Sequence, residues 1–169
     1  MQRIVIFLDY CVVVPTRLSE SDLVQLLPGS WTIAATNFPM WLSGKRLDPV
    51  LSYELASESP LTFRDVVSYT TVEGEAKTIV GVDKFNGHGF TWRGKGLLSI
   101  VASHWAVTGS NETGTVVAIQ YEKTLFTPAG IDILVPKDTV VPEVRSIVAT
   151  DAADYGLTLE NFASLTWDA

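Results

Sequence analysis

The chain has 169 residues, of which 47% are hydrophobic and 18% charged, and this composition is typical of one compact folded unit rather than of a disordered segment. Its 12 basic and 19 acidic residues give a net charge of -7, which disfavours nucleic acid and anionic membrane surfaces as partners because phosphates attract clusters of Lys and Arg. The sequence has no stretch of the roughly 20 apolar residues that a membrane span needs, and its single cysteine, Cys11, allows no intramolecular disulfide, so a reduced cytoplasmic setting is the simpler expectation.

Residues 1–28 are predicted to form an N-terminal arm and a short helix. Asp9 and Tyr10 interrupt the apolar start, and no small-x-small cleavage site follows it, so we expect a β-branched strand or a docked arm rather than a signal peptide. Ser19 with the acidic residues after it offers a helix cap, and Pro28-Gly29 ends the helix.

Residues 29–135 carry the strand pattern. A first strand runs from Trp31 to Phe38, and later runs rich in Val, Ile, Thr and aromatic residues are separated by short turns. These later strands are predicted at 50–56, 61–71, 76–85, 90–93, 97–108, 115–123 and 130–135. Asn86-Gly87 is the strongest hairpin signal, because it readily adopts the positive φ angles of a tight turn. About eight consecutive strands without crossover helices favour an antiparallel up-and-down β-barrel with room for one small ligand; a two-sheet sandwich is the alternative.

Residues 136–169 are predicted to form a C-terminal helix and tail. Pro142 suits a first helical position, and Val144, Ile147 and Val148 form an apolar stripe after it. The sequence therefore predicts a single all-β domain, with the arm and short helix at 1–28, the barrel at 29–135 and the helix and tail at 136–169.

The triplet Gly29-Ser30-Trp31 opens the first strand. It resembles the Gly-x-Trp signature of the lipocalins and their calycin relatives, and the helix before it and the strands after it agree with a divergent member of that superfamily. The resemblance implies a barrel whose closed end is plugged by Trp31 and whose cavity binds a small hydrophobic molecule, for example a fatty acid, a terpenoid or a polyketide.

The segment from Pro39 to Pro49 is too apolar for an idle loop and is predicted to cap the open end of the barrel. The first candidates for ligand binding lie at this end: Phe38, Met40, Trp41 and Leu42. Further candidates lie on the strands: Tyr53, Phe63, Tyr69, Trp92, Arg93 and Trp105.

Polar side chains inside apolar strands are costly to bury without a partner, which makes them candidates for chemistry. If Asp65, Tyr69, His104 and Tyr121 point inward, they could orient an oxygenated ligand or transfer a proton, and we take His104, Tyr121 and Asp65 as the catalytic candidates. The competing inward set is Arg64, Arg93, Ser103, Trp105, Gln120 and Glu122. Both faces of these strands are apolar, so the sequence does not choose between the two sets.

Three functions remain open from the sequence. The first is a binding module for a small hydrophobic molecule, the second is a cofactor-free isomerase or cyclase that acts on such a molecule in the same cavity, and the third is an interaction domain with a filled barrel. We expect no cofactor and no metal, because neither His88 nor His104 lies in a cluster with ligand spacing. A monomer or a homodimer is expected.

Overall fold

The computed structural model describes residues 18–125 and 128–167, apart from the side chain of Leu97. The arm predicted for the first residues, with Cys11, lies outside the described residues. The first element is helix α1, Glu20–Leu26. It begins at a capping box, in which Ser19 Oγ accepts a hydrogen bond from Asp22 N at 3.2 Å and Asp22 Oδ2 accepts one from Ser19 N at 2.8 Å. These two bonds satisfy backbone donors that a helix start leaves free, which explains why the predicted short helix begins here.

Eight strands of the described chain form the barrel. They are β1 (Gly29–Thr36), β2 (Leu47–Glu58), β3 (Leu61–Thr70), β4 (Ala76–Phe85), β5 (Phe90–Gly94), β6 (Ala102–Ser110), β7 (Val117–Tyr121) and β8 (Gly130–Pro136). Each strand from β2 to β7 pairs antiparallel with the next, and β1 pairs with both β2 and β8. The sheet is therefore closed, and the predicted all-β antiparallel barrel is confirmed.

The start of β6 differs from the sequence prediction. A strand was expected from residue 97, but a 3-10 helix occupies Gly96–Ile100 and the strand begins at Ala102. Gly96 has φ +64, a left-handed conformation that glycine adopts without the steric cost of a side chain, and it turns the chain out of the sheet. The turn brings Leu98 over Gly94, where an added Cβ would collide with the Leu98 side chain.

Two hydrophobic clusters lie on opposite sides of the barrel wall. The inner cluster includes Trp31, Phe63, Phe90, Trp105 and Leu134. The outer cluster lies beneath the C-terminal elements and includes Ala35, Val116, Ile133, Val148 and Tyr155. One face of β1, β7 and β8 packs in the inner cluster and the other face packs in the outer cluster, so both faces are apolar. Strand alternation alone therefore did not identify the inward face.

Helix α2, Pro39–Leu42, lies between β1 and β2. The predicted C-terminal helix is α3, Val144–Thr150, and Val144, Ile147 and Val148 pack in the outer cluster as expected. A 3-10 turn, Ala152–Tyr155, follows α3 and packs against Gly109 of β6, where an added Cβ would lie 2.5 Å from Tyr155 Cα.

The predicted tail contains two further elements. They are helix α4, Leu159–Ser164, and strand β9, Thr166–Trp167, which pairs with β1. None of the described helices combines the length and the apolar character that crossing a bilayer requires.

Trp31 lies beside α1. Its indole Nε1 donates a hydrogen bond to the Leu27 carbonyl at 2.9 Å, and its ring is 4% exposed in the inner cluster together with Leu23 and Leu27. A buried indole N–H needs such an acceptor, so the bond fixes the end of α1 to the first strand.

Candidate functional site

A cavity of about 290 Å³ lies inside the barrel. Six aromatic rings line it: Phe38, Trp41, Tyr53, Trp92, Trp105 and Tyr121. Six aliphatic side chains complete the apolar walls: Met40, Leu51, Val67, Ile79, Leu98 and Val101. The polar side chains of the lining, besides the two tyrosines, are Arg46, Asp65 and Ser103. Mostly apolar walls with a few polar groups are typical of small-molecule sites.

The aromatic walls are packed against one another. Phe38 stacks on Tyr121 with ring centroids 4.6 Å apart, and Trp105 contacts Phe90 at 4.8 Å and Tyr53 at 5.4 Å. Phe38 reaches Tyr121 by lying against Gly130, where an added Cβ would be 2.5 Å from the ring. These contacts restrict ring motion, so the cavity is shaped before any ligand enters it.

Helix α2, Pro39–Leu42, belongs to the segment that was expected to cap the barrel. Met40 and Trp41 from this helix and Arg46 from the loop after it line the cavity, so this segment lies over the cavity as expected. Leu42 does not line the cavity and is 46% exposed.

The buried carboxylate of Asp132 holds this cap in place. Its Oδ2 accepts a hydrogen bond from Trp41 Nε1 at 2.9 Å, its Oδ1 accepts one from Thr36 Oγ1, and the Tyr121 side chain is also hydrogen-bonded to it. Thr36 Oγ1 in turn accepts a bond from Phe38 N at 2.8 Å. Burial raises the pKa of Asp132 to about 6, although the three donors oppose the rise. One carboxylate therefore connects β1, α2, β7 and β8.

Asp65 and Asp83 lie on the neighbouring strands β3 and β4, behind the indoles of Trp92 and Trp105. Trp105 Nε1 donates a hydrogen bond to Asp83 Oδ1 at 2.7 Å, and the Trp92 side chain is hydrogen-bonded to Asp65. The remaining oxygens, Asp65 Oδ1 and Asp83 Oδ2, are buried without a hydrogen-bond partner. Such orphan oxygens are rare in folded proteins and call for an explanation.

Burial shifts the protonation of both carboxyls. Burial is the main cause that raises the pKa of Asp65 well above its ordinary value, and the nearby charge of Asp83 adds to it. Burial raises the pKa of Asp83 to about 7. Both shifts favour the protonated carboxyls, and a carboxyl that is protonated in an apolar cavity is able to donate a hydrogen bond or a proton.

A glycine makes room for Trp92 beside Asp65. Gly81 on β4 is the cross-strand partner of Asp65 and of Gly94. A Cβ at Gly81 would collide with the Trp92 indole at Nε1, and one at Gly94 would lie 3.0 Å from the same indole. The indole therefore lies across two positions without side chains, and this placement lets its N–H reach Asp65.

The structure places most of the sequence-predicted ligand-binding residues at the cavity. Phe38, Met40, Trp41, Tyr53, Trp92 and Trp105 line it, together with two of the catalytic candidates, Asp65 and Tyr121. Four others do not line it. Leu42 and Arg93 are exposed, Phe63 is buried in the core against Phe90, and Tyr69 is half-buried beneath the Arg46 guanidinium, 5.4 Å from the ring centre.

His104 is not brought together with Asp65 and Tyr121. Its neighbours Ser103 and Trp105 line the cavity, whereas His104 Nδ1 lies 3.2 Å from Thr91 Oγ1 in its cross-strand partner on β5. The described residues contain no group of three or more His, Cys, Asp or Glu side chains close enough to hold a metal ion.

Neither inward set proposed from the sequence is correct as a whole. Trp105 and Tyr121 face each other across β6 and β7, and directly paired residues project to the same side of a sheet. The cavity therefore takes Asp65 and Tyr121 from one set and Ser103 and Trp105 from the other.

The remaining members of the second set contact groups outside the cavity. Arg64 pairs with Glu54 at 3.6 Å, and Gln120 Nε2 donates to the Gly156 carbonyl at 3.0 Å. Arg93 and Glu122 are exposed.

Three charged residues of the site were missed as candidates from the sequence: Arg46, Asp83 and Asp132. The two aspartates each stand as a lone carboxylate in an apolar strand, in Val80-Gly81-Val82-Asp83 and in Ile131-Asp132-Ile133. That pattern is a usable signal, because a buried carboxylate needs hydrogen-bond donors around it. Arg46 carried no comparable signal, since its loop has no periodic pattern.

The barrel is similar to solved structures of lipocalins, although no family model and no curated protein matches the chain. Lobster apocrustacyanin A1 is 7% identical and matches 85% of this chain and 77% of its own with a TM-score of 0.60. The siderocalin Ex-FABP is 13% identical, with coverages of 87% and 92% and a TM-score of 0.55. Odorant Binding Protein OBP1 is 13% identical, with coverages of 89% and 93% and a TM-score of 0.52. The chain therefore has a divergent lipocalin-like fold.

Proposed function

We propose that the protein binds a small hydrophobic molecule in the barrel cavity. The observation that carries this proposal is a cavity of about 290 Å³ with six aromatic rings in its walls. Each aromatic wall residue offers a large apolar contact area, and burial of apolar area contributes roughly 25 cal/mol per Å². The few polar groups would orient the ligand rather than supply most of its affinity.

The shape of the walls favours ring-containing ligands. Because Trp92, Trp105 and Tyr53 present ring surfaces, a cyclic terpenoid or an aromatic polyketide would gain stacking contacts that a straight fatty-acid chain lacks. Two of the similar structures have names that agree with a binding role: one is an odorant-binding protein, and the siderocalin is described as functioning through dual ligand specificities.

Native mass spectrometry of protein purified from its own host tests the proposal. We expect a bound species with a mass of a few hundred daltons, which is released on denaturation. After this ligand has been extracted, an added apolar ring compound should bind in its place. A clean unliganded mass, together with no uptake of any apolar probe, would contradict the proposal and favour an interaction domain.

A second candidate function is a cofactor-free isomerase or cyclase, and Asp65 is the observation that favours it. The carboxyl is buried, it lines the cavity, and its cross-strand partner is Tyr53. Burial and the nearby charge of Asp83 raise its pKa, which favours the protonated form that could donate a proton to a bound alkene, carbonyl or epoxide as general acid.

Conversion of the captured ligand tests this second candidate. The wild-type protein should change a bound compound into an isomer of the same mass but different chromatographic retention, and Asp65→Asn should slow this at least about 100-fold, since general acid catalysis contributes roughly 10²–10⁴-fold. His104→Ala serves as the matched control, because His104 does not line the cavity. If the wild-type protein releases the ligand chemically unchanged, the isomerase or cyclase function is contradicted and only the binding function remains.

A further inference from the structure

We propose that the ligand of this cavity carries a basic nitrogen, which binds as a cation beside Asp65 between the aromatic rings. This inference rests on the proposed function, because it concerns the chemical class of the molecule that the cavity binds. It starts from a buried acidic pair that has hydrogen-bond donors on one side only.

The first observation is the missing partner at the cavity wall. Asp65 is 7% exposed and lines the cavity, and its Oδ1 has no hydrogen-bond partner. Behind it, Asp83 also has one orphan oxygen. The indole N–H groups of Trp92 and Trp105 supply one donor to each carboxyl. Each carboxyl therefore still lacks a donor, and for Asp65 a molecule in the cavity is placed to provide it.

The second observation is the charge around the cavity. Asp65, Asp83 and Asp132 are buried in or beside it, whereas Arg46 is the basic side chain of its described lining. The Arg46 guanidinium lies over the Tyr69 ring. The ion pairs found within the described residues, Arg64 with Glu54 and Lys77 with Glu75, are exposed and leave the buried acids without a counter-charge. A carboxyl that ionises in such a place needs a counter-charge, and a cationic ligand would provide it.

The third observation is the set of rings near the acid. Trp92 is hydrogen-bonded to Asp65, Tyr53 is its cross-strand partner, and Trp105 packs against Tyr53. Tryptophan and tyrosine faces attract organic cations, and this attraction is strongest where water is excluded. A carboxyl beside Trp92 and Tyr53, with Trp105 packed against Tyr53, is a combination that recognises a protonated amine on an apolar body.

Arg46 offers the ligand a hydrogen-bond donor elsewhere in the cavity wall. Arg46 Nε is buried without a hydrogen-bond partner, so a carbonyl, hydroxyl or carboxylate oxygen on the ligand would find a donor there. An amine directed toward Asp65 and an oxygen directed toward Arg46 would use both polar groups at once. A simple fatty acid, ionised at neutral pH, has an oxygen for Arg46 but no hydrogen-bond donor for Asp65.

Binding of an ammonium group should release a proton. In the free protein burial and the Asp83 charge raise the pKa of Asp65, which favours its protonated form. The other titratable or charged groups around it are Tyr53 on β2, Asp83 on β4, Tyr121 on β7, Asp132 on β8 and Arg46 at the cavity wall. A bound cation would favour ionised Asp65, so the affinity for an amine should increase with pH until the amine itself loses its proton.

The test compares two probes of the same shape, 2-naphthylmethylamine and 2-naphthylmethanol, by calorimetric titration of the full chain at neutral pH. We expect the amine to bind at least about ten-fold more tightly than the alcohol. Titrations in buffers with different ionisation enthalpies should show proton release with the amine and none with the alcohol. Asp65→Asn should bring the ratio of the two affinities to about one, whereas Asp138→Asn, an exposed acid just after β8, should keep the wild-type ratio.

The outcomes separate this inference from the proposed function. Equal binding of amine and alcohol by the wild-type protein, without proton release, would overturn the inference and leave a neutral hydrophobic ligand in place. If neither probe binds, the proposed function itself is contradicted. Because the probe ratio and the proton release are measured on the wild-type protein, the test remains decisive even if Asp65→Asn does not fold.

Discussion

Replacing Asp132 with alanine should lower the free energy of unfolding by roughly 3 kcal/mol, because a buried donor left without its acceptor costs about 1–3 kcal/mol. Three side chains would lose their acceptor at once: Thr36, Trp41 and Tyr121. Trp41 belongs to α2, so the cap over the cavity should also become less ordered. Urea unfolding measures the first effect, and near-UV circular dichroism of the tryptophans measures the second.

Two variants separate the role of the Asp132 acceptors from that of its charge. Asp132→Asn keeps the shape and one acceptor oxygen, so it should lose less stability than Asp132→Ala. Asp138→Ala removes an exposed acid just after the same strand and should change stability by at most about 0.5 kcal/mol. If Asp132→Ala is as stable as the wild-type protein, Asp132 does not hold the cap.

The protein should be more stable at pH 5 than at pH 8, in contrast to proteins whose carboxylates are ion-paired. Burial raises the pKa of Asp83 from 3.8 to about 7 and that of Asp132 to about 6, and it raises the pKa of Asp65 as well. Between the unfolded and folded pKa values the folded state binds more protons than the unfolded state. Stability is therefore fully present below about pH 4 for these groups and is lost as the pH rises toward 7.

The expected loss is large for a protein of this size. Between pH 5 and pH 7, Asp83 alone contributes on the order of 2 kcal/mol, since one pH unit corresponds to about 1.4 kcal/mol per group below the folded pKa and to less close to it. Thermal unfolding at a series of pH values would show a falling midpoint over this range. Asp83→Asn keeps an acceptor for Trp105 but removes the titration, so its midpoint should depend less on pH. Equal stability of the wild-type protein at pH 5 and pH 8 would contradict the burial of these acids.

The barrel could be predicted from the sequence because its signals are local and repeated. Val, Ile and aromatic runs with turns such as Asn86-Gly87 mark the strands, and their number without crossover helices leads to a closed meander. The short helix before Gly29-Ser30-Trp31 was also predictable, since Ser19 and Asp22 form its capping box. The late start of β6 was not, because it depends on a left-handed Gly96, and a glycine in a strand-like run does not show in advance whether it turns the chain.

The apolar part of the candidate site could be predicted from the sequence, but its polar part could not. The apolar lining on and near α2 followed from Met40 and Trp41, which are unusual in a loop. The polar side was harder, because the C-terminal elements cover the outside of β7 and β8 and make both faces apolar. His104 was grouped with Tyr121 although the register pairs Tyr121 with Trp105. Registers arise from long-range pairing, which single-strand patterns do not contain.

Binding in the cavity is tested most directly by filling it. Val67 lines the cavity, and Val66, its neighbour on β3, does not. Titrated with the apolar fluorescent probe N-phenyl-1-naphthylamine, the wild-type protein and Val66→Phe should both show saturable, blue-shifted emission. Val67→Phe should bind at least about ten-fold more weakly, because the added ring occupies the space of the ligand. Equal binding by Val67→Phe and Val66→Phe, or no binding by the wild-type protein, would contradict a ligand site inside the barrel.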